Sequence, residues 1–140
     1  MTAEADIRQV VDQWSKAMAA KDIKGVMAHT APACVVYSLA PPLRTPSESP
    51  DGLAGWFETW RGPIGYAVTE LDVTTDGDVA FCHSLNHLTG TKTTGETADL
   101  WFRHTLGLRR ADGVWTIVHE HESVPFYMDG SFKAAIDLKP

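Results

Sequence analysis

The sequence has few cysteines and no long apolar run. Cys34 and Cys82 are the only cysteines in 140 residues, which excludes a disulfide-stabilised scaffold, and we interpret both as buried free thiols rather than a bridge or a nucleophile. No apolar run approaches the ~20 residues that a membrane-spanning helix needs. The first residues carry acidic groups and no uninterrupted apolar stretch, so we expect no signal peptide. We therefore expect a soluble, cytoplasmic protein.

Clustered positive charge is missing as well. The chain has 12 Lys and Arg against 18 Asp and Glu, a net charge of −6, and no run of basic residues. A nucleic-acid surface needs clustered positive charge, so we expect no nucleic-acid partner and no membrane partner. The sequence also has no Gly-rich phosphate loop, no Gly-x-Ser-x-Gly elbow and no dinucleotide fingerprint. We therefore expect no cofactor.

Hydrophobic residues make up 44% of the chain and charged residues 21%, which is typical of one globular domain. In three segments, apolar residues recur at three- and four-residue steps behind a residue that can cap a helix. The predicted helices are Ala3–Ala20, Ile23–His29 and Asp51–Arg61, and their caps are Thr2, Asp22 and Ser49. Four prolines make Ala40–Asp51 irregular, either as the rim of a site or as a plain surface connection.

Segments rich in β-branched and aromatic residues follow. The predicted strands are Ala33–Leu39, Ile64–Thr75, Val79–Gly90, Asp99–Arg109 and Val114–Ser123. Asp112-Gly113 between the last two is a strong hairpin signal. The apolar residues of Ile64–Thr75 do not keep one parity, so we predict a β-bulge near Glu70.

Helices gathered early and antiparallel strands late predict an α+β domain. Long, bulged strands curl, so we predict a cone-shaped domain in which three N-terminal helices pack on a strongly curved antiparallel sheet that encloses a cavity. We expect residues 1–125 to form this single domain. Residues 126–140 form a C-terminal tail, which we expect to dock on the domain or on a partner subunit.

The end of the chain resembles a known family. The segments Leu100–Thr105, Arg109–Trp115 and Ile117–Pro125, with the helix-strand order, resemble the SnoaL-like branch of the nuclear-transport-factor-two-like superfamily. Ketosteroid isomerases, polyketide cyclases and the association domain of calcium/calmodulin-dependent kinases belong to the same superfamily. The resemblance implies a cystatin-like fold, chemistry without metal, and a homodimer through the sheet. It does not specify a reaction, because this scaffold serves enzymes and binding modules alike.

Two relatives suggest site positions. The kinase association domain lines its cavity with arginines, and by local similarity those positions fall on His83, Thr105 and Glu122. None of these is Arg, so the resemblance implies a cavity without that anion-binding character, apart from Arg103. Steroid isomerases use a carboxylate base opposite a Tyr and a protonated Asp. Tyr37 is the candidate donor here, and no Asp matches.

The run from His119 to Glu122 is the richest group of polar residues. Alternate residues of a strand share a face, so His119 and His121 point one way with Trp115, and Glu120 and Glu122 point the other way. Periodicity favours the histidine face as the inner one, whereas the kinase resemblance favours the glutamate face. A bulge would reconcile the two. Alternatively, these groups only bond to each other and hold the strand in register.

Three residues are the catalytic candidates. His121 or Glu122 is the base, because an imidazole has an ordinary pKa of about 6.5 and an apolar wall raises the pKa of a carboxyl group. Arg103 either stabilises an enolate or pairs with Glu122. His-x-His spacing matches no strong metal-ligand pattern, so we expect no metal. The candidate substrate-binding residues are Trp14, Tyr37, Trp56, Trp60, His83, Trp101 and His119.

These residues support two functions. The first is a cofactor-free enzyme that removes a proton next to a carbonyl group of a small apolar compound, giving isomerisation, cyclisation or dehydration. The second is a module without turnover, which binds a small apolar ligand in the same cavity and forms a homodimer through the back of the sheet.

Overall fold

The computed structural model describes residues 2–45 and 47–140. Its helices and strands follow one another in the predicted order. The helices are α1 (Ala3–Ala19), α2 (Ile23–Ala28) and α3 (Pro50–Glu58). The strands are β1 (Thr30–Tyr37), β2 (Trp60–Asp76), β3 (Val79–Lys92), β4 (Thr97–Ala111) and β5 (Val114–Ser123).

All three predicted helix caps are present. The side chains of Thr2, Asp22 and Ser49 accept hydrogen bonds from backbone N–H groups at 3.0–3.1 Å, which satisfies donors that a helix start leaves free. The predicted end of α3 at Arg61 is wrong. The helix ends at Glu58 because Trp60 already pairs with Lys92 in the sheet.

The sheet has the order β1-β5-β4-β3-β2 and is curled but not closed. Three neighbouring pairs are antiparallel, as predicted, whereas β1 pairs with β5 in parallel. Parallel pairing needs a long connection, and here α3 and three strands lie between the two partners in the chain. Helix α1 packs across the inner face against β2 and β5. The predicted α+β class is confirmed.

Two bulges determine which side chains face inward. In β2 the register shifts between Thr69 and Asp72, and Glu70 has a positive φ of 53°, so the predicted bulge is confirmed. A second shift leaves Val118 of β5 as an extra residue opposite β4. An extra residue reverses the parity of a strand.

The inner face of the sheet and the apolar faces of the three helices form the core. Its largest fully buried side chains include Ile7, Val11, Val26, Leu106, Leu108 and Ile117. Cys34 and Cys82 are buried and free, as predicted. Burial raises the pKa of the Cys34 thiol to about 12 and that of Cys82 to about 11, so neither is a nucleophile near neutral pH.

The C-terminal tail folds back on itself. Phe126 forms a bridge with Ala134, and the Ala135 N–H donates to the Pro125 carbonyl oxygen at 2.8 Å. Ala135 is buried, whereas Met128 is exposed. Docking of the tail on a partner subunit stays a prediction. Within the described residues, no helix combines the length and the hydropathy needed to cross a bilayer.

Candidate functional site

A cavity of about 460 Å³ lies between the inner face of the sheet and helices α1 and α3. Ligand sites in proteins have this size. The proline-rich loop, residues 40–51, also borders the cavity, through Ala40, Thr45 and Glu48. Most of the wall is apolar and aromatic. Its main apolar residues are Trp14, Leu53, Trp56, Trp60, Leu88, Leu100 and Phe102.

Glu122 of β5 lines this cavity, and its carboxyl group binds a proton unusually tightly. Burial raises its pKa well above the ordinary 4.5, and the negative charges of Glu120 and Glu48 raise it further. A hydrogen bond from the backbone of Leu39 acts in the opposite direction but is weaker. A carboxyl group in this setting gains and loses its proton at a higher pH than an exposed one does.

Glu48 and Glu120 are the other two carboxyl residues among the described lining residues. Burial and the charge of Glu120 raise the pKa of Glu48 as well. Glu120 has a fixed partner, because its Oε1 lies 3.0 Å from Nε2 of His104 on β4. The His104 side chain is 2% exposed, and its ring stacks on Trp14 with 5.4 Å between the centroids. This contact holds the Glu120 carboxyl group in one orientation.

Tyr66 of β2 presents a phenol group to the cavity. Ser84 Oγ donates to Asn86 Oδ1 at 2.7 Å, and Asn86 Nδ2 donates to the Tyr66 phenol oxygen at 3.0 Å. Because that oxygen accepts from Asn86, its own hydrogen is left to donate to a ligand. Burial and the charges of Glu120 and Glu122 raise the pKa of Tyr66, which keeps the phenol protonated. Tyr66 is therefore a hydrogen-bond donor to the cavity.

The bulge at Val118 resolves the conflict over the faces of β5. Trp115 and Ile117, before the bulge, are buried, and Glu120 and Glu122, after it, line the cavity. The glutamate face is thus the inner one at the end of the strand. His119 and His121, whose side chains alternate with those of the two glutamates, lie on the other face.

Four of the ten predicted site residues line the cavity. They are Trp14, Trp56, Trp60 and Glu122. Tyr37, His119 and His121 cluster nearby instead, with 5.1 and 5.3 Å between the Tyr37 ring and the two imidazoles. Tyr37 and His121 border a second, more open hollow beside the proline-rich loop, and Glu122 borders both hollows.

The other three predicted site residues lie on the outer face of the sheet. Arg103 is exposed and donates from Nε to Ser123 Oγ at 3.1 Å. It does not pair with Glu122, because the two side chains point to opposite faces. His83 lies 3.7 Å from Asp72, and Trp101 stacks on His87 with 4.3 Å between ring centroids. None of the three reaches the cavity.

Sequence reasoning did not single out His104, Tyr66, Asn86 or Glu48. The signal for His104 was present, because buried residues alternate along β4 at Phe102, His104, Leu106 and Leu108. Asn86 shares a face of β3 with Cys82 and Leu88, which also indicated an inner position. In the described part of the chain, no three His, Cys, Asp or Glu residues converge as a candidate metal site.

Comparisons with known proteins give a consistent result. The model of the SnoaL-like domain family matches residues 7–127. A nuclear-transport-factor-two-like protein of unknown function from Pseudomonas putida KT2440 superposes with a TM-score of 0.85. The two sequences are 32% identical, over 100% of this chain and 99% of that one. No curated protein shows significant similarity to the sequence.

Two further structures share the fold at lower identity. A proposed scytalone dehydratase from Novosphingobium aromaticivorans DSM 12444 has a TM-score of 0.76 and 17% identity, over 94% of this chain and 90% of that one. A proposed ketosteroid isomerase from Shewanella frigidimarina NCIMB 400 has a TM-score of 0.68 and 24% identity, over 82% and 92%. At these identities the likeness shows the fold alone.

Proposed function

Because the chain belongs to the SnoaL-like domain family, we propose that it is a cofactor-free enzyme that removes a proton next to a carbonyl group. Its substrate is a small, largely apolar compound held in the cavity. The product arises by isomerisation, cyclisation or dehydration. The observation that carries this proposal is the presence of Glu122 and the Tyr66 phenol group in one cavity with apolar walls.

The proposed first step divides the chemistry between these two residues. The ionised Glu122 carboxylate takes a proton from the carbon next to the carbonyl, and the electron pair moves onto the carbonyl oxygen. The Tyr66 O–H donates a hydrogen bond to that oxygen and stabilises the enolate. Since its pKa is raised, Glu122 is a stronger base than an exposed carboxylate.

In the second step Glu122 returns the proton. Delivery to a different carbon completes an isomerisation, and delivery to a departing hydroxyl group completes a dehydration with release of water. The aromatic wall formed by Trp14, Trp56 and Trp60 keeps bulk water from the enolate. A proposed isomerase and a proposed dehydratase have the same fold, so the scaffold is compatible with this class of reaction.

A panel of β,γ-unsaturated ketones tests the enzyme proposal. We expect at least one member to isomerise to its conjugated form, which absorbs in the ultraviolet, in protein dialysed free of metal. Tight binding of a member without an absorbance change for any would overturn this reaction. That result would favour the second candidate function, a small-ligand-binding module without turnover.

The outer face of the sheet supports a homodimer in either case. Phe81 is 50% exposed and Val79 58% exposed at one end of this face, and the stacked His87 and Trp101 rings lie further along the same strands. Large apolar side chains that are exposed on a sheet face favour burial against a partner. We propose that two copies of the chain pack through this face, which leaves both cavities accessible.

The dimer proposal predicts a particle of two chains in light scattering at micromolar concentration. Phe81→Glu places a charge in the contact and should give a particle of one chain with an unchanged circular dichroism spectrum. Leu43→Glu is the matched control, because Leu43 is 98% exposed on the proline-rich loop, which lies beside β1 and β5 and not beside Phe81 on β3. A one-chain particle for the unmodified protein would refute the dimer.

A further inference from the structure

Lys92 is the only cationic side chain among the described residues that line the cavity. It is the last residue of β3, and its Nζ lies 3.9 Å from the centroid of the Trp60 ring and 5.9 Å from that of Trp56. Nζ also donates to Thr59 Oγ1 at 2.8 Å. An ammonium group has three N–H donors, so two of them remain for a ligand.

The cationic and acidic groups of the cavity occupy different places on the sheet. Glu122 lies opposite His104, where β5 joins β4, whereas Lys92 lies opposite Trp60, where β3 joins β2. Partial burial lowers the pKa of Lys92, and the negative charge of Glu96 in the following turn raises this pKa by a smaller amount. Lys92 takes part in none of the ion pairs found in the described part of the chain.

We propose that Lys92 is a specificity-determining residue that binds a carboxylate group of the substrate. This inference rests on the proposed function and narrows its substrate class to aromatic carbonyl compounds that carry a carboxylate. The carboxylate lies at Lys92, the adjoining ring packs against Trp56 and Trp60, and the reacting carbonyl reaches Tyr66.

Three features of the site favour this ligand chemistry. An ammonium group with free donors and no anionic partner gains most from a compact anion. The indole side chains of Trp56 and Trp60 beside Nζ favour a flat apolar ring next to that anion. Burial raises the pKa of Glu48 and of Glu122, so between the ordinary and the raised pKa these carboxyl groups repel an anionic ligand less than exposed carboxylates would.

Binding of two probes of matched size tests the assignment. Naphthylacetate and naphthylacetamide have nearly the same shape, and only the first carries a charge. Titration near neutral pH, followed by quenching of tryptophan fluorescence, should show about fivefold tighter binding of the carboxylate, because a partly exposed ion pair contributes little more than this. The preference should shrink as salt is added.

Three variants separate the effect of Lys92 on binding from the effect of the overall charge. Lys92→Met should bind the two probes equally and keep the affinity for the amide, whereas Lys92→Arg should keep the preference. Lys16→Met is the matched control, because it removes the same charge from a lysine that pairs with Asp12 on the exposed side of α1. It should bind both probes as the unmodified protein does.

Each outcome supports or overturns the assignment. Equal affinity for both probes in the unmodified protein, an unchanged preference in Lys92→Met, or no binding of either probe would overturn it. A preference lost in Lys92→Met, without turnover of any ketone, would support the carboxylate site and overturn ketone isomerisation as the reaction. Turnover of ketones without a preference for the carboxylate probe would support the proposed enzyme and overturn the carboxylate site.

Discussion

Replacement of Glu122 by Gln is expected to lower kcat/KM for the proposed proton transfer by roughly 10²- to 10⁴-fold. Glutamine has nearly the same size as glutamate, but its amide cannot accept a proton from carbon. The loss should fall on kcat more than on KM, because the shape of the cavity stays the same. Steady-state kinetics with the ketone that turns over fastest will measure the change.

The same variant should be more stable than the unmodified protein at alkaline pH. Burial raises the pKa of Glu122 in the folded protein above its ordinary 4.5, so the folded state binds the proton more tightly than the unfolded state. The free energy of unfolding therefore falls as the pH rises from about 4.5 towards the folded-state pKa. The amide of the variant has no such proton to lose, so this part of the decline disappears. The pKa of Glu48 is also raised, so the variant keeps a smaller decline of stability with pH.

Opposite changes in activity and stability distinguish a catalytic Glu122 from a structural one. Melting temperatures from about pH 5 to pH 9 will show whether the slope becomes shallower. Glu58→Gln serves as the control for charge, because Glu58 is exposed at the end of α3. Glu58→Gln should change neither kcat/KM nor the slope of melting temperature against pH. Unchanged kinetics in Glu122→Gln would contradict the assigned base, and lost activity with lower stability would indicate damage to the fold.

Features determined by neighbouring residues could be predicted from the sequence. The three caps act across a single helical turn, so Thr2, Asp22 and Ser49 were recognisable without any tertiary information. The hairpin at Asp112-Gly113 is equally local, since it needs residues that tolerate positive φ. Local signals of this kind were sufficient for the order of helices and strands.

The inner and outer faces of the sheet could not be predicted in the same way. Alternation along a strand puts Arg103 and Trp101 on one face of β4, but it carries no information on which face the helices cover. The aromatic side chain of Trp101 indicated an inner position for this face. In the structure, however, Trp101 stacks on His87 outside the cavity. In β5 the outcome depends on the bulge at Val118, which forms only when that strand pairs with β4.

The polar groups of the site needed contacts between distant parts of the chain. Tyr37 and Tyr66 are both on strands, and nothing local distinguishes them as donors. The bond from Asn86 to Tyr66 leaves the phenol hydrogen available for a ligand and joins residues 20 positions apart. Glu48 follows the prolines of an irregular loop, and only the folded chain brings it to Glu120. Contacts between residues far apart in the chain leave no periodic pattern in the sequence.

Replacement of His104 by Leu is expected to lower the free energy of unfolding by about 3 kcal/mol, because it leaves the Glu120 carboxyl group without a partner in a buried place. The Glu120 side chain is only 12% exposed, so water cannot fully replace the lost contact. The stacking of the imidazole on Trp14 disappears as well. Urea unfolding near neutral pH will measure the difference.

A double variant shows whether the loss comes from the unpaired carboxyl group. His104→Leu combined with Glu120→Met removes both polar groups, and apolar replacement of a buried pair is often close to neutral, so we expect stability within about 1 kcal/mol of the unmodified protein. His87→Leu is the matched control. Its pair with Asp99 is shorter, at 2.6 Å, but Asp99 is 59% exposed and stays hydrated when the histidine is removed. Two outcomes would contradict this role of the buried pair. In the first, His104→Leu lowers the free energy of unfolding no more than His87→Leu does, and in the second, the double variant is no more stable than His104→Leu. In either case the pair does not restrain Glu120, and the backbone of β5 alone sets the orientation of the acidic side of the cavity.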